Sequence, residues 1–466
     1  MGATTPTPAS PDAVRSVYLL YLASAIAASG GLIFGYDLAV IDGAILFIRD
    51  EFTLTVFLQE IVIASALLGA MLGAAGGGKI ADVWGRRPTL LCIAGLGVLG
   101  PIITSLAPNI PWLILGRILT GVCFGMASFA TPLYIAELAP AQIRGRLVTI
   151  YFLAVMLGIL IANLIDFAFS SMHQWRVMLA IGAIPGVILG IGSVILPESP
   201  RWLMLQGQSD KACEALRRVR GAADISAEIE SILKNLGQSL GGWADLLQPY
   251  LRLALVIAIG LAIFRMVTGI GIIIFYGPII FEMTGVKSQS VDILATVGIA
   301  VAPVLATLVG MYLVDRWGRR TLLLGGFAGM VVSLVGMGLA FSPLLSSYRG
   351  TVAEVSLIVF GIGWVLGPGT IFFLLISEIF PTHVRALAMS LATAVLWGAY
   401  CLDTLTFLSL MDLLGRTATF WFYAFLGIIA WGFVYVVVPE TKGIALEDIE
   451  AHWRANKYPR ELGKTT

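Results

Sequence analysis

The chain alternates long apolar runs with short polar turns, and each run is long enough to cross a bilayer as a helix. A helix needs roughly 20 apolar residues to cross about 30 Å of hydrocarbon. Six such runs precede a polar break and six follow it, at residues 16–47, 58–81, 89–107, 111–138, 146–169 and 175–196, and at 251–281, 289–314, 321–341, 351–379, 385–411 and 418–438. The pattern predicts twelve transmembrane helices.

The break between the two sets, from Glu198 to Pro249, carries charges of both signs. It predicts a few amphipathic helices on the membrane surface rather than another span. The chain therefore divides into an N-terminal segment, a six-helix bundle, a helical linker, a second six-helix bundle and a C-terminal segment. These are residues 1–15, 16–198, 199–249, 250–438 and 439–466.

The two bundles repeat each other in their charged turns. Asp82-Val-Trp-Gly-Arg-Arg87 follows the second run, and Asp315-Arg-Trp-Gly-Arg-Arg320 follows the eighth. Two related sets of six helices in one chain are typical of secondary transporters. The repeat therefore predicts a membrane transporter built from two pseudo-symmetric halves.

Other motifs that occur in both halves place acids at helix ends and arginines in neighbouring turns. Such sets can form ion-pair networks that latch the two halves together on the cytoplasmic side during alternating access. Alternatively, the arginines merely set the topology, and the sequence leaves both interpretations open. The candidate gate residues are Asp82, Arg86, Arg87, Glu137, Arg144, Glu198, Asp315, Arg319, Arg320, Glu378, Arg385 and Glu440.

Composition and charge agree with a membrane protein. Hydrophobic residues make up 58% of the chain and charged residues 12%, against about 25% charged in soluble proteins. A net charge of +1 argues against a nucleic-acid partner. Of the 29 Lys and Arg residues, 22 fall on one side of the predicted topology. The positive-inside rule then places both termini and the linker in the cytoplasm, in a multi-pass protein of the plasma (inner) membrane.

Several motifs in this order resemble the sugar porters of the major facilitator superfamily. They are Phe34-Gly-Tyr-Asp37, Gly116-Arg117, Pro197-Glu-Ser-Pro-Arg-Trp202 and Pro439-Glu-Thr-Lys-Gly443, together with the two Gly-Arg-Arg turns. The resemblance implies an all-α membrane fold with the two bundles flanking a substrate site near the membrane midplane. It also implies a small-molecule substrate, protons and the lipid bilayer as partners, and we expect the chain to act as a monomer.

Asp37 and Arg117 are charged residues inside the first and fourth runs. An uncompensated carboxylate there costs several kcal/mol or stays protonated, so Arg117 is its natural partner. In the proton-coupled sugar porters that these motifs resemble, the matching acid and arginine form the proton site. We predict proton coupling at this pair, and the alternative is a static ion pair that holds two helices together.

Asp42 and Arg265 form a second candidate pair, in the first and seventh runs. The sugar-porter pattern has a serine and a glutamine at these two places. Because a guanidinium binds a carboxylate bidentately, Arg265 is a candidate ligand for an anionic substrate group. The alternative is a closed Asp42–Arg265 bridge without substrate contact.

Most amide side chains that contact sugar in this family have no counterpart here. We therefore predict a proton symporter for an organic acid or another weakly hydroxylated solute, with a sugar or polyol symporter as the alternative. The candidate substrate-binding residues are Arg265, Met266, Asp42, Phe152, Ile159, Gly271, Phe275, Phe373, Trp397 and Tyr400. Gly367-Pro-Gly369, shortly before Phe373, predicts a helix break or hinge.

Other functional classes fit the sequence less well. A non-transporting sensor usually carries long soluble extensions, and the sugar-porter motifs with Asp37 disfavour a drug exporter. The sequence shows no nucleophile–base set, metal-ligand spacing or phosphate loop. We therefore expect no catalytic residue, metal site or cofactor.

Overall fold

The computed structural model describes residues 11–140, 143–221, 225–226, 229–230, 242–271, 280, 301–302, 305–310, 312–314, 316–444, 446–455 and 458–462. Within these ranges, eleven helices are long and apolar enough to cross a membrane. They confirm eleven of the predicted spans. The remaining span, predicted at residues 289–314, falls largely outside the described residues, which include a shorter apolar helix at Leu305–Val314.

The first half contains seven helices that make six spans, because Gly182 divides the last span into α6 and α7. The helices are α1 (Pro11–Glu51), α2 (Val56–Trp84), α3 (Arg86–Ser105), α4 (Ile110–Leu138), α5 (Arg144–Ser170), α6 (Trp175–Ile181) and α7 (Ala183–Ile195). Two linker helices follow, α8 (Pro200–Leu205) and α9 (Ser209–Arg220), and α9 packs against α1.

The second half is described in part. Its helices, with a short one that precedes them, are α10 (Trp243–Leu246), α11 (Arg252–Val267), α12 (Arg319–Ala340), α13 (Arg349–Trp364), α14 (Thr370–Ile379), α15 (Thr382–Leu414), α16 (Arg416–Val437) and α17 (Leu446–Arg454). A π-helical turn at Val365–Gly369 joins α13 to α14, and Gly367 within it has non-helical backbone angles. The predicted break at Gly367-Pro-Gly369 is therefore confirmed.

The repeated Trp-Gly-Arg-Arg turn begins a helix in each half and receives a carboxylate there. Gly85 has φ +103° and Gly318 has φ +86°, a region that glycine occupies without strain. Glu198 accepts hydrogen bonds from the backbone N–H groups of Arg86 (2.9 Å) and Arg87 (3.2 Å) at the start of α3. A helix N-terminus favours negative charge, so this contact stabilises the turn.

The second half repeats this arrangement at the start of α12. Glu440 accepts hydrogen bonds from the N–H groups of Arg319 at 2.9 Å and Arg320 at 3.1 Å. We call the membrane end that carries these two turns the motif end, and the other end the far end. The equal geometry in both halves agrees with the pseudo-symmetry predicted from the repeat.

The two halves meet along α2 and α15. Glu60, which is fully buried near the far end, accepts hydrogen bonds from the Ser409 hydroxyl at 2.6 Å and the Ser409 N–H at 2.9 Å. One turn further from the far end, the Cys401 thiol approaches the Ala64 carbonyl oxygen at 3.7 Å. The two halves are therefore in direct contact near the far end.

Close packing within the first half depends on small residues. A Cβ added at Gly35 would collide with the Val155 carbonyl oxygen, and one at Gly31 would lie 2.6 Å from the Tyr151 carbonyl oxygen. Backbone contact of this kind is how helices pack tightly in lipid. The glycine of Phe34-Gly-Tyr-Asp37 therefore seats α1 against α5, which fixes the position of Asp37.

We expect Gly35→Ala to destabilise the protein, because its methyl group has no space against α5. Overpacking of this kind costs roughly 1–3 kcal/mol, so the apparent unfolding temperature in detergent should fall. Thermal unfolding followed by intrinsic fluorescence measures the change.

The matched control is Gly76→Ala in α2, where an added Cβ meets no atom within 4 Å. Removing a helical glycine at an open position gains about 0.5–1 kcal/mol, so the control should be neutral or stabilising. Equal melting temperatures for the two variants would show that the α1–α5 contact is looser than described.

Candidate transport site

An ion pair lies inside the first half, between α1 and α4. The Arg117 guanidinium donates a hydrogen bond from Nη1 to Asp37 Oδ1 at 2.9 Å, and the residues are 1% and 6% exposed. Asp37 Oδ2 and Arg117 Nε are buried without a hydrogen-bond partner. The structure thus forms the pair expected from the sequence and leaves one polar atom free on each partner.

Aromatic rings connect this pair to the second half. Phe34, one turn before Asp37, stacks on Phe124 at 5.5 Å and meets the Trp397 ring edge-on at 5.8 Å between centroids. Trp397 in turn stacks on Tyr400 at 6.1 Å. Two predicted site residues of α15 therefore lie beside the helix turn that carries the ion pair. Phe124 was not predicted, because nothing distinguishes it from other apolar residues of α4.

Arg265 lies near the end of α11 and is 8% exposed. Its guanidinium carbon is 5.1 Å from the ring centroids of Trp364 and Phe372 and 5.2 Å from that of Phe373. Aromatic faces attract a guanidinium, so these rings partly replace its hydration. Arg265 Nε and Nη1 have no hydrogen-bond partner.

The closed Asp42–Arg265 bridge, which was the alternative to substrate binding by Arg265, is not formed: Asp42 Oδ1 and Arg265 Nε and Nη1 have no hydrogen-bond partner among the described residues. Asp42 is within electrostatic range of Asp166, in α5, and of Arg117. The sequence places Asp42 and Arg265 inside apolar runs of the two halves. It does not show in which direction each helix points their side chains. Asp166 was missed, although a lone acid inside the fifth apolar run was a visible signal.

Asp403 of α15 is a further site residue that the sequence analysis missed. It is 4% exposed and interacts with the Tyr423 hydroxyl and with the backbone N–H of Gly271. A Cβ at Gly271 would lie 2.9 Å from Asp403 Oδ2 and 3.0 Å from Tyr400 Cε2. The absence of a side chain at Gly271 therefore leaves the space that Asp403 occupies.

Tyr400 marks the place where charged groups from both halves converge. It lies within electrostatic range of Asp42 from the first half and of Asp403 and Arg265 from the second. Close by, the turn at Thr268–Gly269 interrupts the seventh span, with Gly269 at φ +97°. Interrupted helices of this kind commonly border substrate sites in transporters.

The other predicted substrate residues have mixed surroundings. Met266 is buried, Ile159 is partly buried against two hydrophobic core clusters, and Phe152 is 47% exposed beside Tyr151. Phe275 lies outside the described residues. Substrate contact at these positions stays a prediction.

The gate residues of the first half pair with one another at the motif end. Arg86 donates to Glu137 at 2.9 Å and to Asp82 at 3.1 Å. Arg87 donates to the carbonyl oxygen of Ser193, near the end of α7, at 3.0 Å. Burial raises the pKa of Glu198, although N–H groups of Ser199, Arg87 and Arg86 oppose the shift.

The second half forms a matching network. Arg319 donates to Glu378 at 2.8 Å, and Arg320 donates to the Tyr435 carbonyl oxygen at 2.7 Å. Arg385 is partly buried and donates to the Phe380 carbonyl oxygen at 3.3 Å. Asp315 and the side chain of Arg144 lie outside the described residues.

Each of these contacts joins residues of the same half. The described networks therefore brace each half internally, rather than joining the halves as the latch hypothesis requires. A latch between the halves stays a prediction, and it would have to form in a conformation other than the one described.

Comparison with known proteins agrees with this architecture. Residues 23–453 match the family model described as "Sugar (and other) transporter". The galactose-proton symporter of Escherichia coli K12 is 36% identical over 444 residues, which cover 94% of this chain and 95% of the relative. The arabinose-proton symporter of Bacillus subtilis is 36% identical over 462 residues, with coverage of 96% and 99%.

A solved structure shows the same fold. The inward-open form of the xylose transporter XylE from E. coli superposes with a TM-score of 0.80 at 30% identity, covering 93% of this chain and 100% of that one. These matches confirm the predicted two-bundle fold and a transporter rather than an enzyme. The chain belongs to the sugar porter family of the major facilitator superfamily.

Proposed function

We propose that the protein is a proton-coupled symporter that carries a sugar or polyol across the membrane by alternating access. The observation that carries the proposal is the buried Asp37–Arg117 pair, which adjoins the contact between the halves at Phe34 and Trp397. The relatives named as galactose-proton and arabinose-proton symporters support the same activity.

The ion pair gives a simple means of coupling. Protonation of Asp37 cancels its charge and weakens its attraction to Arg117. The helices α1 and α4 then lose the ion pair that joins them, and Phe34 is free to move relative to Trp397. Because Phe34 and Asp37 share one helix, proton binding and the rearrangement at the substrate site occur together.

The cargo inferred first from the sequence, an organic acid, is not supported. The relatives are named for sugars, and carboxyl groups of Asp42 and Asp403 share the surroundings of Tyr400 with Arg265. An anionic substrate would meet two acids there. A hydroxyl can donate to a carboxylate and accept from a guanidinium, so a sugar suits this mixed set.

We further propose that the motif end faces the cytoplasm, with both termini on that side of the plasma (inner) membrane. The bias of Lys and Arg toward this side supports the orientation. The Glu60–Ser409 contact then closes the outer end, which corresponds to an inward-facing conformation. In the outward-facing conformation, the gate residues of the two halves would approach one another and form the latch.

We expect Asp37→Asn to abolish sugar accumulation driven by a pH gradient while sugar counterflow continues. The amide keeps the shape of the carboxyl group but cannot take up the coupling proton. Uptake and counterflow of labelled sugar in proteoliposomes measure the two activities. Asp50→Asn is the matched control, since Asp50 lies at the exposed end of the same helix. If Asp37→Asn still accumulated sugar, the ion pair would have only a structural role.

A second test concerns the cargo. Under an imposed pH gradient, proteoliposomes should accumulate labelled pentoses, hexoses or polyols, and a protonophore should abolish the accumulation. Aromatic and aliphatic carboxylic acids should neither accumulate nor compete, because a carboxylate, unlike a hydroxyl, cannot donate a hydrogen bond to Asp42 or Asp403. Accumulation of an acid, without that of any sugar or polyol, would refute the proposed cargo.

A third test addresses Asp403 as a hydroxyl acceptor. A hydrogen bond to a charged group contributes about 1.5–3 kcal/mol, so we expect Asp403→Asn to raise the apparent KM for the sugar roughly tenfold. Initial uptake rates over a range of sugar concentrations give this value. Asp448→Asn, at an exposed position of α17, serves as the control. An unchanged KM in Asp403→Asn would remove Asp403 from the substrate site.

A further inference from the structure

Two carboxyl groups lie buried together in the first half, apart from the Asp37–Arg117 pair. Asp42 and Asp166 are each 8% exposed. A Cβ added at Gly43, the neighbour of Asp42, would lie 2.7 Å from Asp166 Oδ2. Asp166 therefore approaches the backbone of α1 immediately beside Asp42, where α1 and α5 touch.

Neither carboxyl group has the partners that stabilise an ionised acid. Asp42 Oδ1 is buried without a hydrogen-bond partner, and the Asp166 carboxyl group interacts with the backbone N–H of Gly43 but receives no hydrogen bond from a described side chain. Stable burial of a carboxylate requires a paired cation or several donors. One backbone N–H for two buried carboxyl groups leaves a place for an occupant that the protein itself does not supply.

The charges around the two acids do not balance. The groups within electrostatic range are Arg117 of α4 and Tyr400 of α15 near Asp42, and Tyr36 of α1 near Asp166. The Tyr36 hydroxyl donates to the Met178 carbonyl oxygen of α6 at 2.6 Å, so it is already engaged.

Arg117 is bonded to Asp37 and offsets that acid first. If all three acids were ionised, this region would carry two uncompensated negative charges in a low-dielectric interior. A proton is the smallest occupant that removes such a charge, and two neighbouring carboxyl groups can share one.

We propose that Asp42 and Asp166 form a second proton-binding site that holds at least one proton in this conformation and exchanges it during transport. The inference rests on the proposed proton symport and adds to it a site distinct from Asp37. Because Asp37 controls the contact between the halves, Asp37→Asn stops proton exchange at both sites and still abolishes accumulation. Asp42 is five residues beyond Asp37, about 7.5 Å along the helix. Asp166 is four residues, about 6 Å, from the far end of α5. The second site thus lies between Asp37 and the far end.

The site can be detected without transport. A protonated carboxyl group gives a C=O stretching band in infrared spectra, which a carboxylate lacks. In pH-difference spectra of the purified protein, we expect Asp166→Asn to remove one such band that Asp37→Asn retains. Asp42→Ser is the second variant, because serine is smaller than aspartate and removes the carboxyl group without adding volume. Asp50→Asn is the control and should match the wild type.

The coupling ratio gives a second, independent readout. From the reversal potential of sugar-driven currents, we expect the number of protons per sugar to fall by about one in Asp166→Asn and in Asp42→Ser. The proposal would be overturned if both variants had the carboxyl bands of the wild type and also its number of protons per sugar. Accumulation that follows a sodium gradient at constant pH, and disappears in the variants, would replace the proton by a metal cation and also overturn it.

The two proposals fail in different ways. If the wild type shows no pH-driven accumulation but Asp166→Asn still removes a carboxyl band, proton symport is wrong and the protonated pair stands as a binding site without transport. If the wild type is a proton symporter, and neither variant changes the carboxyl bands or the number of protons per sugar, the second site is wrong. Asp37 alone then carries the coupling.

Discussion

The structure depends most on the cost of placing charge inside the membrane. Asp37 and Arg117 are almost fully buried, and each is tolerable there because the other is present. Their pairing brings α1 and α4 together beside the contact of Phe34 with Trp397. A contact that requires both charges is sensitive to a single proton, and this sensitivity is what a proton-driven carrier needs.

The sequence predicts the overall architecture well because hydrophobic length and motif repetition act locally. Eleven predicted spans were confirmed, and the repeated turn has the same geometry in both halves, with Gly85 and Gly318 at positive φ. The Asp37–Arg117 pairing was also predictable, since each charge lies in an apolar run and family motifs surround both. Such features need no knowledge of how distant helices rotate relative to one another.

The substrate site was harder to predict because its chemistry comes from residues far apart in the chain. The sequence lacks most of the amide side chains that bind sugar in this family, and an organic acid was therefore predicted as the cargo. That prediction overlooked Asp403, which fills the space left at Gly271. Arg265 seemed to need a carboxylate and instead lies among three aromatic rings. The position of a residue within an apolar run indicates how deep in the membrane it lies. Which residue it pairs with depends on how the helices are rotated about their axes, and a single sequence does not show this.

The glycine contact between α1 and α5 has a mechanical consequence. With Gly35 against the Val155 carbonyl, the two backbones touch, so these helices cannot slide or rotate independently. We therefore expect Asp37, Asp42 and Asp166 to move together on this tightly packed helix pair. What varies is their distance from α15. A conformational change of this kind would alter what faces the acids more than the spacing between them.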